Sequence, residues 1–235
     1  MLPFITTILS GLSFFIGYLI TKFIKDEKKL TIFSVGFSFV IIIGLILFDL
    51  LPECIESIQN KWLILLYILI GIIGLKSLDL FVPDHHHSNK KNHMEHIGII
   101  SFIALFLHNL VEGTGIYATS INNISMGVFM ALGVSFHNIP LGIQISSLIK
   151  NTREKIILLC VLALSSVFGV MFLNIFNITM SDNVLGVLIS ITLGMLIYIA
   201  FFELLCEIKE HFKDNELKLG LLIGIIILIF SQFLH

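Results

Sequence analysis

Charged residues are scarce in this chain of 235 residues. Asp, Glu, Lys and Arg together make up 13% of it, whereas hydrophobic residues make up 57%. A soluble domain usually has about 25% charged and 45–50% apolar residues. The composition therefore excludes an ordinary soluble domain and a disordered tail, and it leaves no room for a separate soluble catalytic domain.

The chain also lacks an excess of positive charge and a disulfide framework. Its 14 Lys and Arg residues stand against 16 Asp and Glu residues, and it has three cysteines. A nucleic-acid binder needs a basic surface, so we predict no nucleic-acid partner. Three cysteines are predicted to be free thiols. No glycine-rich nucleotide motif occurs, and we expect no organic cofactor.

Long apolar runs rich in Leu, Ile and Phe are what the chain has instead. A helix needs about 20 apolar residues to cross a bilayer, and the alternation typical of barrel strands is absent. We predict an all-α, polytopic protein of the cell membrane with one transmembrane domain, residues 1–235. Its eight helices are expected at about 1–21, 31–52, 62–82, 97–119, 124–149, 155–178, 183–206 and 217–234.

Positive charges predict the orientation of these spans. Twelve Lys and Arg residues fall in the loops after the first, third, fifth and seventh spans, against Lys61 alone on the other side. Because positively charged loops stay in the cytoplasm, both termini are expected outside. The first run is followed by lysines rather than preceded by them, so we predict a retained helix and not a signal peptide.

Polar residues inside the spans are the strongest functional signal. His108 and Glu112 are four residues apart and share one helix face, and His137 lies at the middle of the next span. Asn109 and Asn138 follow the two histidines, which gives a repeated His-Asn-x-x-x-Gly pattern in two antiparallel helices. Ionisable groups in a bilayer cost roughly 2.5–3.5 kcal/mol on insertion scales and usually face a cavity or each other.

Imidazole and carboxylate groups together suit Zn²⁺, and also Fe²⁺, Mn²⁺ and Co²⁺. We therefore predict a divalent-metal site between the fourth and fifth spans. The alternative is that these side chains cross-link helices by hydrogen bonds. The predicted ligands are His108, Asn109, Glu112, His137 and Asn138.

The same segments resemble the ZIP family of divalent-metal transporters, in its bacterial branch. The resemblance rests on His108-Asn109-x-x-Glu112-Gly113, His137-Asn138-x-Pro140-x-Gly142, Leu50-Leu51-Pro52-Glu53 and Gly194-x-x-x-Tyr198 with Glu203-Leu204. It implies an eight-helix bundle with an inverted repeat that moves divalent metal into the cytoplasm, with Zn²⁺ as the first candidate. It also suggests a homodimer.

Two departures from the family pattern stand out. Leu141 occupies the position where the family usually has a metal-binding Glu, and the stretch around Ser165 and Ser166 lacks a Glu-Pro motif. The resemblance thus implies a single, weaker site, with another metal preference or reduced transport.

Further candidates lie along the expected path. Asp49, Glu53 and Glu203 are acids that either guide ions or pair with local donors. The cytoplasmic loop 83–96 is rich in histidine, and such tracts bind metal loosely, although a plain polar linker is the alternative. Its histidines are His85, His86, His87, His93 and His96.

Two other functions are weighed against transport. A membrane protein that binds or senses metal without moving it would need the same ligands. An intramembrane metalloenzyme is disfavoured because no His-Glu-x-x-His helix and no Ser or Cys nucleophile beside a base occurs in the sequence.

Overall fold

The computed structural model describes residues 2–79, 90–175 and 182–232, and within these ranges the chain is helical almost throughout, with no strand. This confirms the all-α prediction. The helices are α1 (Leu2–Thr21), α2 (Glu27–Gly44), α3 (Leu51–Ser57), α4 (Lys61–Asp79), α5 (Lys90–Asn122), α6 (Ile124–Leu148), α7 (Thr152–Ile175), α8 (Asp182–Tyr198), α9 (Leu205–Glu210) and α10 (Asn215–Gln232).

Seven stretches in the described part of the chain are long and apolar enough to cross a bilayer. α2 and α3 form one of them, Lys28–Ser57, and α8 and α9 form another, Asn183–Glu210. The remaining five follow α1, α4, α5, α6 and α7. α10 overlaps the last predicted span. α5 begins at Lys90, so the helix extends seven residues (97 − 90) further toward the N-terminus than the sequence indicated.

Two segments of π-helix interrupt two of the long spans. Leu45–Leu50 joins α2 to α3, and Ile199–Leu204 joins α8 to α9. Pro52 follows the first segment and has no backbone N–H to donate, which favours a local change in helical winding there. π-Helical turns are frequent at functional sites. The two segments contain Asp49 and Glu203, both singled out from the sequence.

Helix α1 packs closely against α6, because glycines let the two backbones meet. A Cβ atom at Gly142 would collide with the carbonyl oxygen of Phe14, and one at Gly17 would collide with that of Ile139. Small residues allow this close approach in membrane bundles. The contact fixes the position of α6, which carries His137.

Apolar and polar side chains are distributed as a membrane environment requires. Large apolar side chains such as Leu65, Ile73, Phe129 and Phe172 are exposed on the outer surface of the bundle. Polar side chains such as His108 are instead buried between the helices. The apolar outer surface distinguishes the bundle from a soluble protein, and the candidate ligands lie in the interior beside an apolar core.

Candidate metal site

Three side chains from two helices converge on one point. Nε2 of His108 lies 3.3 Å from Oε1 of Glu112, and Nε2 of His137 lies 2.9 Å from the same oxygen. One ligand atom from each residue lies within 4.8 Å of the other two. Because Glu112 follows His108 by one helical turn on α5, the pair faces α6 together, and His137 completes the group.

These side chains are nearly withdrawn from solvent. His108 is 1% exposed, and the side chains of His137 and Glu112 are 12% and 14% exposed. Nε2 of both histidines contacts Oε1 of Glu112, whereas Oε2 of Glu112 is buried without a hydrogen-bond partner within the described residues. Buried polar atoms are normally satisfied, and exceptions point to a function or to an ion. The three groups therefore have the chemistry and the orientation of metal ligands.

A cavity of about 460 Å³ opens from this group toward one end of the bundle. Asp49, Glu53 and Glu56 line it together with the two histidines and Glu112. Carboxylates along an aqueous entrance raise the local concentration of cations. Asp49 and Glu53, predicted as pathway residues, thus share a cavity with the site, whereas Glu203 is buried and does not line it.

The two asparagines lie behind the three candidate ligands, in a hydrogen-bonded network. Nδ2 of Asn109 donates to the carbonyl of Leu162 and to Oγ of Ser165, both at 2.8 Å. Nδ2 of Asn138 donates to Oδ1 of Asn109 at 3.4 Å and to the carbonyl of Ser10 at 3.3 Å. The amides thus join α1, α5, α6 and α7, and neither lines the cavity.

Two of the five histidines of the 83–96 segment, His93 and His96, lie within the described residues. His85, His86 and His87 lie outside the described residues. The backbone of His93 is helical in α5, and the side chain of His96 is buried in the bundle. Residues 90–96 of the predicted loop therefore belong to a helix, because the helical turns of α5 continue past the apolar region that marked its start in the sequence.

The sequence alone did not single out two features. Glu56 lines the cavity one turn beyond Glu53, and the i, i+3 spacing of the two acids was the available signal. Glu207, Glu210 and His211 form a second group with ligand atoms within 4.8 Å of one another. The close spacing of these three residues in the sequence was the signal that could have indicated this group.

Comparison with known proteins shows the family to which this chain belongs. The family described as "ZIP Zinc transporter" matches residues 83–232, which is more than half of the chain. The chain belongs to the ZIP family. As a ZIP protein it is a multi-pass integral membrane protein of a transporter family and not an enzyme, as the sequence predicted.

Individual relatives agree over the full length. The chain is 24% identical to "Zinc transporter ZupT" of Clostridium perfringens, covering 100% of this chain and 96% of the relative. It is 24% identical to the ZupT of Chlorobium chlorochromatii over 98% of this chain and 96% of the relative. For an Escherichia coli ZupT the identity is 26%, over 99% and 96%.

The two departures from the ZIP pattern occupy neutral surroundings. Leu141 is 0% exposed and belongs to the main hydrophobic core. Ser165 and Ser166 are buried on α7, where Ser165 accepts the hydrogen bond from Asn109. A Cβ atom at Gly113 would collide with the backbone of Ser166, so α5 and α7 touch closely at this level. No carboxylate is provided by these three positions.

Proposed function

We propose that this protein carries divalent metal ions, with Zn²⁺ the first candidate, through one site formed by His108, Glu112 and His137. The observation that carries the proposal is the convergence of their ligand atoms, all within 4.8 Å, at the inner end of an acid-lined cavity. The zinc transporters ZupT that resemble this chain along its whole length support Zn²⁺ as the substrate.

Three protein ligands suit a carrier better than a permanent site. Zn²⁺ is usually four-coordinate, so a fourth position is left for water or for a transient ligand during entry and release. The absence of thiolate keeps the affinity moderate. With neutral imidazoles, the single carboxylate of Glu112 balances half of the ion's charge, and Asp49 and Glu53 in the cavity supply further negative potential.

Asn109 and Asn138 belong to the proposed site as its support. Their amide network holds α5, α6, α1 and α7 at a fixed separation, and Oδ1 of Asn138 is a buried acceptor without a hydrogen-bond partner within the described residues. In this proposal a neutral network stands where the family pattern has further acids, so the chain binds one ion rather than two.

The proposed topology has eight spans, with α10 as the eighth and both termini outside. It rests on the twelve positive residues that flank alternate spans. In this orientation the acid-lined cavity faces outward, and metal moves into the cytoplasm. The antiparallel His-Asn segments on α5 and α6 form the proposed inverted repeat. Homodimerisation enters the proposal through the family resemblance alone.

Metal binding without transport is a second candidate. It is favoured by Leu141, which leaves the site with one carboxylate, and by the neutral surroundings of Ser165. Such a protein would sense or buffer metal at the membrane through the same three ligands.

Cellular zinc accumulation tests the first candidate. Cells that express the wild-type chain should accumulate zinc above cells that carry the empty vector. Glu112→Ala should abolish the gain at equal expression, because it removes the only anionic ligand. The matched control is Glu154→Gln, which changes an exposed carboxylate on α7, outside the cavity. If Glu112→Ala accumulates as much zinc as the wild type, the site assignment is wrong.

A further inference from the structure

A second large cavity, of about 700 Å³, lies at the opposite end of the bundle from the metal site. Thr31 lines it, whereas Asp49 on the same span lines the first cavity. Eighteen residues (49 − 31) separate them, which corresponds to about 27 Å along a helix. The two cavities share no lining residue.

Lysines from four separate segments converge on this second cavity. They come from the end of α1, the first turn of α2, the residues after α6 and the first turn of α7, and they are Lys22, Lys28, Lys150 and Lys155. Ammonium groups around one space attract an anion. The Nζ atom of Lys22 also lies 4.7 Å from the ring centroid of Tyr18, which lines the same cavity. The first cavity carries carboxylates instead, so the two ends of the bundle have opposite electrostatic character.

The cavity also offers hydrogen-bond donors. Ser146 lines it, is 2% exposed, and has an Oγ atom with no hydrogen-bond partner within the described residues. Thr152, the first residue of the 24-residue helix α7, is part of the same wall. The N-terminus of a helix favours a negative group because its first N–H groups point outward along the axis.

Apolar side chains complete the wall of this cavity. Leu30, Ile32 and Ile149 are buried beside the lysines, and Met94 and Ile24 lie at the same cavity. Two described carboxylates contact residues that line this cavity, Lys150 and His211. Glu95 accepts a hydrogen bond from the backbone N–H of Lys150, and Asp214 contacts the imidazole of His211 at 2.7 Å.

We propose that the lysine-lined cavity binds the phosphate group of an anionic ligand, in contact with Lys28, Lys155 and the hydroxyl of Ser146. Basic pockets between membrane helices recognise phospholipid headgroups in this way. A soluble phosphate offers the same chemistry, so the source is distinguished by experiment. The site is independent of the metal ligands and of the direction of transport.

The test measures the melting temperature of the purified full-length protein in a neutral detergent. Two of the probes are phosphatidylglycerol and diacylglycerol, which lacks the phosphate. The third probe is inorganic phosphate, titrated against chloride at equal ionic strength. Phosphatidylglycerol or inorganic phosphate should raise the melting temperature, and diacylglycerol should not. A shift with phosphatidylglycerol alone identifies a lipid headgroup, and a matching shift with inorganic phosphate identifies a soluble ligand.

Variants make the test specific to this cavity. The double variant Lys28→Gln/Lys155→Gln should need about tenfold more of the effective probe for half the shift, because two charged contacts are lost. Lys25→Gln/Lys213→Gln removes the same charge at residues that do not line the cavity, and it should behave like the wild type. Lys28→Arg/Lys155→Arg should restore binding.

Ser146→Ala provides a second arm that leaves the charge unchanged. It should weaken the response to the probe severalfold without lowering the melting temperature of the free protein, since the hydroxyl lacks a hydrogen-bond partner in the described residues. The proposal is overturned if no phosphate-bearing probe shifts the wild type. It is equally overturned if diacylglycerol acts as well as phosphatidylglycerol, or if the two lysine double variants respond alike.

Discussion

Nε2 of His137 lies 2.9 Å from Oε1 of Glu112, across the contact between α5 and α6. His108 approaches the same oxygen from within α5, at 3.3 Å. A single carboxylate oxygen thus orients two imidazoles that come from antiparallel helices. In the proposed function, a shift of the two helices relative to each other would open this ligand set and so couple metal binding to helix movement.

Each histidine should contribute strongly to metal affinity. His137→Ala and His108→Ala are each expected to weaken Zn²⁺ binding by about 100-fold, because zinc sites with four ligands gain roughly 10–16 kcal/mol and one ligand accounts for about 3 kcal/mol. Competition titration with a zinc dye measures the change. Ser135→Ala, on α6 but outside the cavity, is the matched control and should leave the affinity unchanged. Equal affinities in all three variants would remove the histidines from the site.

Leu141 should mark the position of a missing ligand. Leu141→Glu adds a carboxylate one turn from His137 on α6, in a fully buried position. We expect tighter Zn²⁺ binding and a melting temperature that depends strongly on metal, since an unpaired buried carboxylate is destabilising. Leu141→Gln has nearly the same shape without the charge and is the control. Unchanged affinity and unchanged stoichiometry in Leu141→Glu would contradict the account of a lost ligand.

Asn109 should act mainly through the amide network. Asn109→Ala removes the two hydrogen bonds that Nδ2 donates to the carbonyl of Leu162 and to Oγ of Ser165, so it should lower the free energy of unfolding by about 1–3 kcal/mol. Its effect on Zn²⁺ affinity should be much smaller than that of His108→Ala. Thermal unfolding and dye competition on the same sample separate the two effects. A loss of affinity as large as that of His108→Ala would instead place the Asn109 amide on the metal.

Gly142 should be required for the contact between α1 and α6. Gly142→Ala places a methyl group against the backbone of Phe14 and should destabilise the protein by about 1–3 kcal/mol. Gly74→Ala is the control, because no atom lies within 4 Å of a Cβ built there, and it should be neutral or stabilising by up to about 1 kcal/mol. Melting temperatures of the two variants check this. Equal values would show that the two helices do not touch as described.

Much of this arrangement could be predicted from the sequence. The apolar runs located the helices, because in a bilayer a run of about 20 apolar residues can pair its backbone N–H and C=O groups within itself only as a helix. The four-residue spacing of His108 and Glu112 placed both on one face, and the repeated motif indicated that His137 would meet them. These predictions depend on local periodicity, which the fold preserves.

Other features depend on contacts that no periodicity reveals. The neighbours of Asn109 are Leu162 and Ser165, more than 50 residues away, and they decide that the amide faces α7 rather than the cavity. The start of α5 at Lys90 was not predicted, because polar residues in that stretch are typical of a loop. The convergence of lysines on the second cavity likewise depends on how α1, α2, α6 and α7 end together.

Zinc flux into proteoliposomes that enclose a zinc dye tests the central claim most directly. The wild-type protein should produce a saturable, time-dependent signal. Glu112→Gln should reduce the initial rate at least about tenfold, while Glu154→Gln should match the wild type, because only Glu112 belongs to the ligand set. Zinc binding by the wild type without any flux, or equal flux in Glu112→Gln, would contradict the account.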